Sequence, residues 1–259
     1  MLLGVNIDHI AVLREARRIN DPDPLDALGI VKRAGADQIT IHLREDRRHI
    51  HDEDAKRIVA LSPLPVNLEC AMAPQMLEIA TTLLPHRVTL VPEKREEVTT
   101  EGGLDVKGYF APLKEAVKGL QAHGIEVSLF IDPTKETVKL SQALRVEWVE
   151  LHTGAYANLY AMLYGNLTSS HHSIKALELP RPTLKTLLEA SLKELEDAAT
   201  LAASLGLKVA AGHGLNYHNV EAITRMGAIE ELNIGQSIIA RSVFTGLKEA
   251  VVRMRELVR

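Results

Sequence analysis

Residues 2–11 read L-L-G-V-N-I-D-H-I-A, an apolar, β-prone run broken early by Asn6, Asp8 and His9. This stretch separates two architectures. An open, doubly wound dinucleotide-binding sheet carries a G-x-G-x-x-G turn straight after its first strand. Here the strand leads into N-I-D-H-I-A, without that turn. Working outward, runs of the same character recur at Gln38–His42, Val66–Glu69, Arg87–Val91, Glu126–Ile131, Trp148–His152, Lys208–Ala211 and Glu231–Ile234, which with Leu2–Ile7 makes eight. Helix-like segments lie between them near 24–34, 52–61, 74–84, 109–123, 134–144, 183–205 and 217–226, and a last one runs from about 237 to 257. Parallel strands need crossover connections, so eight strand–helix units with no midpoint linker predict a (β/α)₈ TIM barrel with extra helices. The expected domain is a single one, residues 1–259, with an enlarged strand-6 loop at about 155–182.

Composition narrows the function classes. With 46 % hydrophobic and 25 % charged residues the 259-residue chain is globular, and with 3 % aromatics its core must be built from Leu, Ile, Val and Ala. A net charge of −4 argues against a general nucleic-acid binder, which needs a basic face to displace counterions. The single cysteine, Cys70, excludes an intrachain disulfide and any multi-Cys zinc site. No segment approaches ~20 uninterrupted apolar residues, and the N-terminus lacks the basic region of a signal peptide, so a cytoplasmic protein is expected.

Barrels of this kind build their active sites at the C-terminal ends of the strands. The first strand ends in Asn6, Asp8 and His9, and the second in His42, followed by Arg44 and His49. Glu69 ends the third, Asp132 the fifth, Glu150 and His152 the sixth, Gly212-His213-Gly214 the seventh and Gly235-Gln236 the eighth. A purely structural barrel has no reason to deliver polar residues to one rim so consistently. His152 and Asp132 fit a structural role as well as a functional one, and Glu150 can face either the interior or a helix. Alternation in V-N-L-E puts Asn67 and Glu69 on one side of their strand, so an inward Glu69 is a carboxylate at the pocket floor with a raised pKa. The glycine turns after strands 7 and 8, each read as preceding a helix, predict a phosphate site of backbone N–H groups. Arg17, Arg44 and His49 offer a second anion site. No metal is expected: strand 1 offers D-H rather than H-x-H, and H-E-x-x-H is absent.

Two regions interrupt the rhythm. Residues 92–108 form a polar, glycine-containing loop after strand 4. In 155–182, Tyr156, Tyr160 and Tyr164 recur at helical spacing, a stripe expected to bury against a neighbouring subunit or to cap its own barrel.

The strings G-V-N-I-D-H-I-A, I-H-L-R-E-D-R-R-H-I, L-V-P-E-K-R-E-E-V-T-T-E-G-G-L-D, V-S-L-F-I-D, E-L-H-T-G, A-A-G-H-G-L-N-Y-H-N-V and E-L-N-I-G resemble the pyridoxine 5′-phosphate synthase family, from Leu3 to the last helix. The resemblance implies condensation of 3-amino-2-oxopropyl phosphate with 1-deoxy-D-xylulose 5-phosphate to pyridoxine 5′-phosphate, phosphate and water, by a transferase without a cofactor, assembled as a homo-octamer of four dimers. It further implies His42 and Glu69 as general bases, His213 as proton donor and Glu150 as transition-state stabiliser. Asn6, Arg17, Gly214, Gly235 and Gln236 match positions contacting the aminoketone phosphate. Asp8, His9, Arg44, His49 and Thr99 match positions contacting the deoxyxylulose phosphate. Gln236 stands where some relatives carry His, and the 155–182 segment is longer than the family's version. Two rivals differ in class. An aldolase needs a strand-borne Schiff-base lysine, and no strand candidate ends in Lys. A non-catalytic ligand-binding barrel has no use for Glu69 and His213 beside anion sites.

Overall fold

The computed structural model describes residues 1–93 and 102–259, and every strand candidate is a strand within one residue at each end. In chain order the elements are β1 (Leu2–Asn6), α1 (Asp8–Glu15), α2 (Asp26–Arg33), β2 (Gln38–His42), α3 (Asp52–Leu61), β3 (Val66–Cys70), α4 (Pro74–Leu83) and β4 (Arg87–Leu90). They continue with α5 (Phe110–Gln121), β5 (Glu126–Ile131), α6 (Lys135–Leu144), β6 (Trp148–His152), α7 (Gly154–Tyr164), α8 (Arg181–Ser204) and β7 (Lys208–Gly212). The last are α9 (Val220–Thr224), β8 (Glu231–Ile234), α10 (Gln236–Thr245) and α11 (Leu247–Val258). The strands pair in parallel in sequence order, and β1 pairs with β8, so the sheet closes into a (β/α)₈ barrel. Among the described residues no helix is long and apolar enough to cross a membrane.

Strand alternation sorts the side chains into two layers. Leu3, Val5, Ile39, Ile41, Leu68, Val88, Leu90, Val127, Leu129, Val149, Leu151 and Val209 are buried beneath the helices and build the core expected from a Leu/Ile/Val-rich composition. The opposite set faces into the barrel and is polar, unlike the branched apolar filling common in this fold. There Arg87 Nη1 donates to Glu231 Oε1 at 2.7 Å, Gln38 Nε2 to the same oxygen at 3.1 Å, and Asn233 Nδ2 to Glu150 Oε2 at 2.8 Å. Thr40 donates to Asn233 Oδ1 and Thr89 to Asn67 Oδ1. Such a layer is tolerable because its groups find partners within it. Removing one member of a buried ion pair typically costs about 3–5 kcal/mol.

Three local differences from the expected elements have clear causes. The stretch after β1 turns at once into α1, whose Ile10, Ala11 and Arg14 share a buried face at helical spacing. The expected helix over 237–257 is two helices, because Gly246 between them takes φ +79°, a left-handed conformation that stops α10. Within 155–182, α7 is followed by single 3₁₀ turns at Leu167–Ser169 and Lys175–Leu177. Its tyrosine stripe is graded: Tyr156 is 2 % exposed and donates to the Asn219 carbonyl at 2.7 Å, Tyr160 is half-buried, and Tyr164 is 55 % exposed.

Candidate active site

Register brings the first pair of groups together. His42 and Glu69 are cross-strand partners at the tops of β2 and β3, and His42 Nδ1 lies 3.9 Å from Glu69 Oε2. Asp8, at the start of α1, accepts the His42 peptide N–H on Oδ1 at 2.9 Å. Asn6 holds Asp8 in turn, donating from Nδ2 to Oδ2 and accepting the Asp8 peptide N–H, both at 2.9 Å. Burial pushes Asp8 up to about 6 against the opposing pull of His42, Asn6 and Arg44. His42 Nε2 meets Glu93 Oε1 at 2.9 Å.

Above the polar barrel interior lies a cavity of about 310 Å³. Asn6, His9, Glu69, Glu150, His213, Gly214, Gly235 and Gln236 line it, which unites eight of the residues singled out from the sequence. Glu150 points inward, since Asn233 reaches it across the barrel. Burial, then the charges of Glu150 and Asp8, push the Glu69 carboxyl well above its ordinary value. Burial likewise lifts Glu150 to about 7, with the Glu231 charge adding to the rise and Asn233 and Arg87 opposing it. Both carboxyls on this floor are thus harder to ionise than ordinary carboxyls, which strengthens each as a base once ionised.

The far wall is built on β5, β6 and β7. His213 adopts φ +80°, a strained backbone for a non-glycine residue, and Thr153 braces it by donating Oγ1 to the Gly212 and His213 carbonyls at 2.7 and 2.6 Å. Its ring stands edge-on to His152, centroids 4.9 Å apart, with Phe130 alongside. Burial, then the neighbouring His152, lower the His213 pKa to about 4. Asp132 Oδ1 lies 3.3 Å from His152 Nδ1 and accepts the Gly103 peptide N–H at 2.9 Å. The buried His9 Nδ1 and His152 Nε2 have no hydrogen-bond partner among the described residues.

The glycine turns act differently from each other. Gly235 precedes α10, so the peptide N–H groups at the start of that helix open onto the cavity beside Gln236. After β7, by contrast, the chain runs on to Val220 before the five-residue α9 begins, so no helix N-terminus backs Gly214. Both positions exclude a side chain through packing: a Cβ at Gly235 would lie 2.8 Å from Asn6 Cβ, and one at Gly214, where φ is +81°, 2.5 Å from Ala157 Cβ.

Other expected residues lie outside the cavity lining. Arg44 is buried, with Nε 3.6 Å from Asp46 Oδ1, and the His49 ring is 6.2 Å from that of His42. Burial, then the positive charges of His42, Arg44 and His9, lower His49 to about 3. Arg14 fixes this loop by pairing with Asp54 through two hydrogen bonds and donating to the His49 carbonyl. Arg17 sits exposed in the turn after α1 and is not among the residues that line the cavity. Thr99 lies outside the described residues. Glu93, Phe130 and Asn233 are site residues that sequence reasoning missed. The signal for Glu93 is present in the sequence, since strand 4 is the one strand given no rim residue and V-P-E stands at its end. Among the described residues no group of three or more His, Cys, Asp or Glu is arranged to hold a metal ion.

A family model described as pyridoxal phosphate biosynthesis protein PdxJ matches residues 3–259. The chain belongs to the PdxJ family. It is 68 % identical to the pyridoxine 5′-phosphate synthase of Sulfurovum sp. (strain NBC37-1), over 99 % of this chain and 100 % of that one. The protein of the same name from Aliarcobacter butzleri is 66 % identical, over 100 % of this chain and 99 % of the relative. Among solved structures, 3-hexulose-6-phosphate synthase superposes over the full length of both chains with a TM-score of 0.60 at 15 % identity. Phosphoribosyl anthranilate isomerase from Thermus thermophilus gives 0.55 at 13 %, covering 100 % of this chain and 98 % of that one. These two share the barrel fold. PdxJ membership rests on the sequence matches.

Proposed function

We propose that this PdxJ-family chain is a pyridoxine 5′-phosphate synthase, a transferase that condenses 3-amino-2-oxopropyl phosphate with 1-deoxy-D-xylulose 5-phosphate to pyridoxine 5′-phosphate, inorganic phosphate and water. The observation that carries the reading is one cavity with two carboxyls of raised pKa, Glu69 and Glu150, on its floor and the N-terminus of α10 at its rim. Imine formation, enolisation, phosphate loss, water addition and ring closure are proton transfers around carbonyl carbons, and groups titrating near neutrality serve several of them in turn.

In this reading Glu69 and His42 take protons from the condensing carbons and nitrogen. His213 gives one to a departing oxygen from its imidazolium form, which the lowered pKa makes a strong acid, and Glu150 stabilises the charge that develops above the floor. The aminoketone phosphate is held by Asn6, Gly214, Gly235 and Gln236, with Arg17 as a further contact. The deoxyxylulose phosphate is held by Asp8, His9, Arg44, His49 and Thr99. Phosphate anchoring at both ends turns a bimolecular condensation into a positioned one. A dianion beside His49 would also offset the positive charges that depress its pKa.

The proposal extends to a single barrel unit in the cytoplasm, working without a cofactor, as an octamer of four dimers. Self-association is supported by large apolar side chains left in water on α1, on the turn after it and on α10, which touches α1: Val12, Leu13, Ile19, Val243 and Phe244, the last 90 % exposed. The deciding experiment mixes the purified protein with both phosphates. Product absorbance and phosphate release should appear only when both substrates are present. Phosphate release from either alone, or none from the mixture, overturns the assignment.

A further inference from the structure

The function above uses Glu69 and His42 but gives no task to Glu93, although its side chain is the closest polar partner of the His42 ring. Glu93 lies just past β4, with its side chain only 5 % exposed. Its two oxygens are divided: Oε1 is 2.9 Å from His42 Nε2, and Oε2 accepts the Glu45 peptide N–H at 3.0 Å. The second bond ties the carboxylate to the backbone of the β2 loop, so its orientation toward His42 is set independently of the ring. We propose that Glu93 is a positioning residue for His42, keeping the imidazole proton on Nε2 and thereby making Nδ1, which faces Glu69, the atom that exchanges protons with substrate. The inference rests on His42 being one of the bases of the proposed reaction.

The charge state of Glu93 supports it. Burial alone would raise its carboxyl, but the hydrogen bond and charge of His42, the Glu45 N–H and Arg44 together hold it below the ordinary value. An ionised carboxylate can only accept hydrogen bonds, so the ring nitrogen opposite must carry hydrogen. That holds for the neutral and the charged ring alike. The proton that comes and goes is therefore the one on Nδ1. When Nδ1 takes a proton from a substrate carbon, the C–H electrons remain on the substrate as an enolate, and the imidazolium charge is balanced by Glu93. This is the logic by which a buried carboxylate fixes the tautomer of a catalytic histidine. Of the other groups around His42, Glu69 approaches Nδ1, Asp8 bonds the His42 peptide N–H, and the His49 ring stands edge-on to the His42 ring, centroids 6.2 Å apart.

The test combines kinetics with a direct look at the ring. Glu93→Gln keeps the size and the acceptor for Glu45 N–H but removes the charge. Its kcat should fall by about 10²–10⁴-fold, while KM for each phosphorylated substrate stays within about three-fold of the parent. In ¹⁵N-histidine-labelled protein, with the His42 signal assigned by its loss in His42→Gln, the parent should show hydrogen on Nε2. Glu93→Gln should show a mixture of tautomers, because an amide both donates and accepts. A neutral parent ring with its hydrogen on Nδ1 overturns the proposal, as does a kcat within about two-fold of the parent. If Glu93→Gln fails to fold, the tautomer of the parent still decides. A parent that does not condense the two phosphates sinks the functional reading alone, and the ring signals still judge Glu93.

Discussion

His42 and His213 stand on opposite sides of one barrel mouth, and their surroundings differ in kind. His42 lies between two carboxylates, Glu93 at 2.9 Å and Glu69 at 3.9 Å, and its backbone is bonded to a third, Asp8. The His213 ring packs against the rings of His152 and Phe130, and Asp132 contacts His152. On the first side, charge is accommodated by countercharge. On the second, desolvation holds the His213 pKa near 4. The two sides also rest on one polar floor, where Glu150 reaches Glu231 and Arg87 through Asn233.

The contrast breaks most sharply at the His42 side. Glu69→Gln keeps the shape but removes the basicity, and turnover should fall by roughly 10²–10⁴-fold, about 3–5 kcal/mol of barrier. Melting temperature should hold or rise, since a desolvated acid has gone. Steady-state rates within a few-fold of the parent would make Glu69 structural and leave His42 to act alone.

The shared floor comes next. Arg87→Met strands Glu231 in the barrel interior and should destabilise the fold by about 3–5 kcal/mol in urea unfolding. Loss of under about 1 kcal/mol would mean that Gln38 and Asn233 suffice to satisfy Glu231.

Glu150 sharpens the comparison through pH. Its folded pKa of about 7 lies above the ordinary 4.5, so the native state binds the extra proton. Stability therefore falls as pH rises from 4.5 to 7 and levels off above that. Glu150→Gln removes the penalty and should gain about 3 kcal/mol on the parent between pH 5 and pH 8, read from paired denaturation curves. Parallel curves for the two proteins would show that Glu150 titrates normally.

The smallest effect belongs to the far side. Asp132→Asn weakens the contact with His152, one ring removed from His213, so turnover should drop by only about ten-fold, near 1.4 kcal/mol. A loss as large as that of Glu69→Gln would place His152 in the chemistry and erase the asymmetry between the two walls.

Much of this was legible before folding. The eight strands were readable because each is a short β-branched run between turns, and their ends named Glu69, His213, Gly235 and Gln236 as residues of one rim. The inward turn of Glu69 followed from period-two alternation. Arg17 shows what a sequence position does not tell: its exposure in the turn after α1 comes only with the fold. The 237–257 segment shows a second limit, since only the positive φ of Gly246 reveals that its periodic pattern covers two helices.

Strand and helix patterns are local properties, and eight strand–helix units without a midpoint linker point to closure, so the sequence by itself determined the barrel and the set of polar side chains delivered to its mouth. Pairings between those side chains depend on register and on loops that return from distant points of the chain. The contact of Glu93 with His42 spans 51 residues, and that of Asn233 with Glu150 spans 83. Burial is likewise collective: Glu69 and Glu150 acquire raised pKa values because β3 and β6 turn them into the same cavity floor. Only the tertiary structure decided which carboxylates hold protons and which histidine gained a counterion, because desolvation and Coulomb interaction act through space.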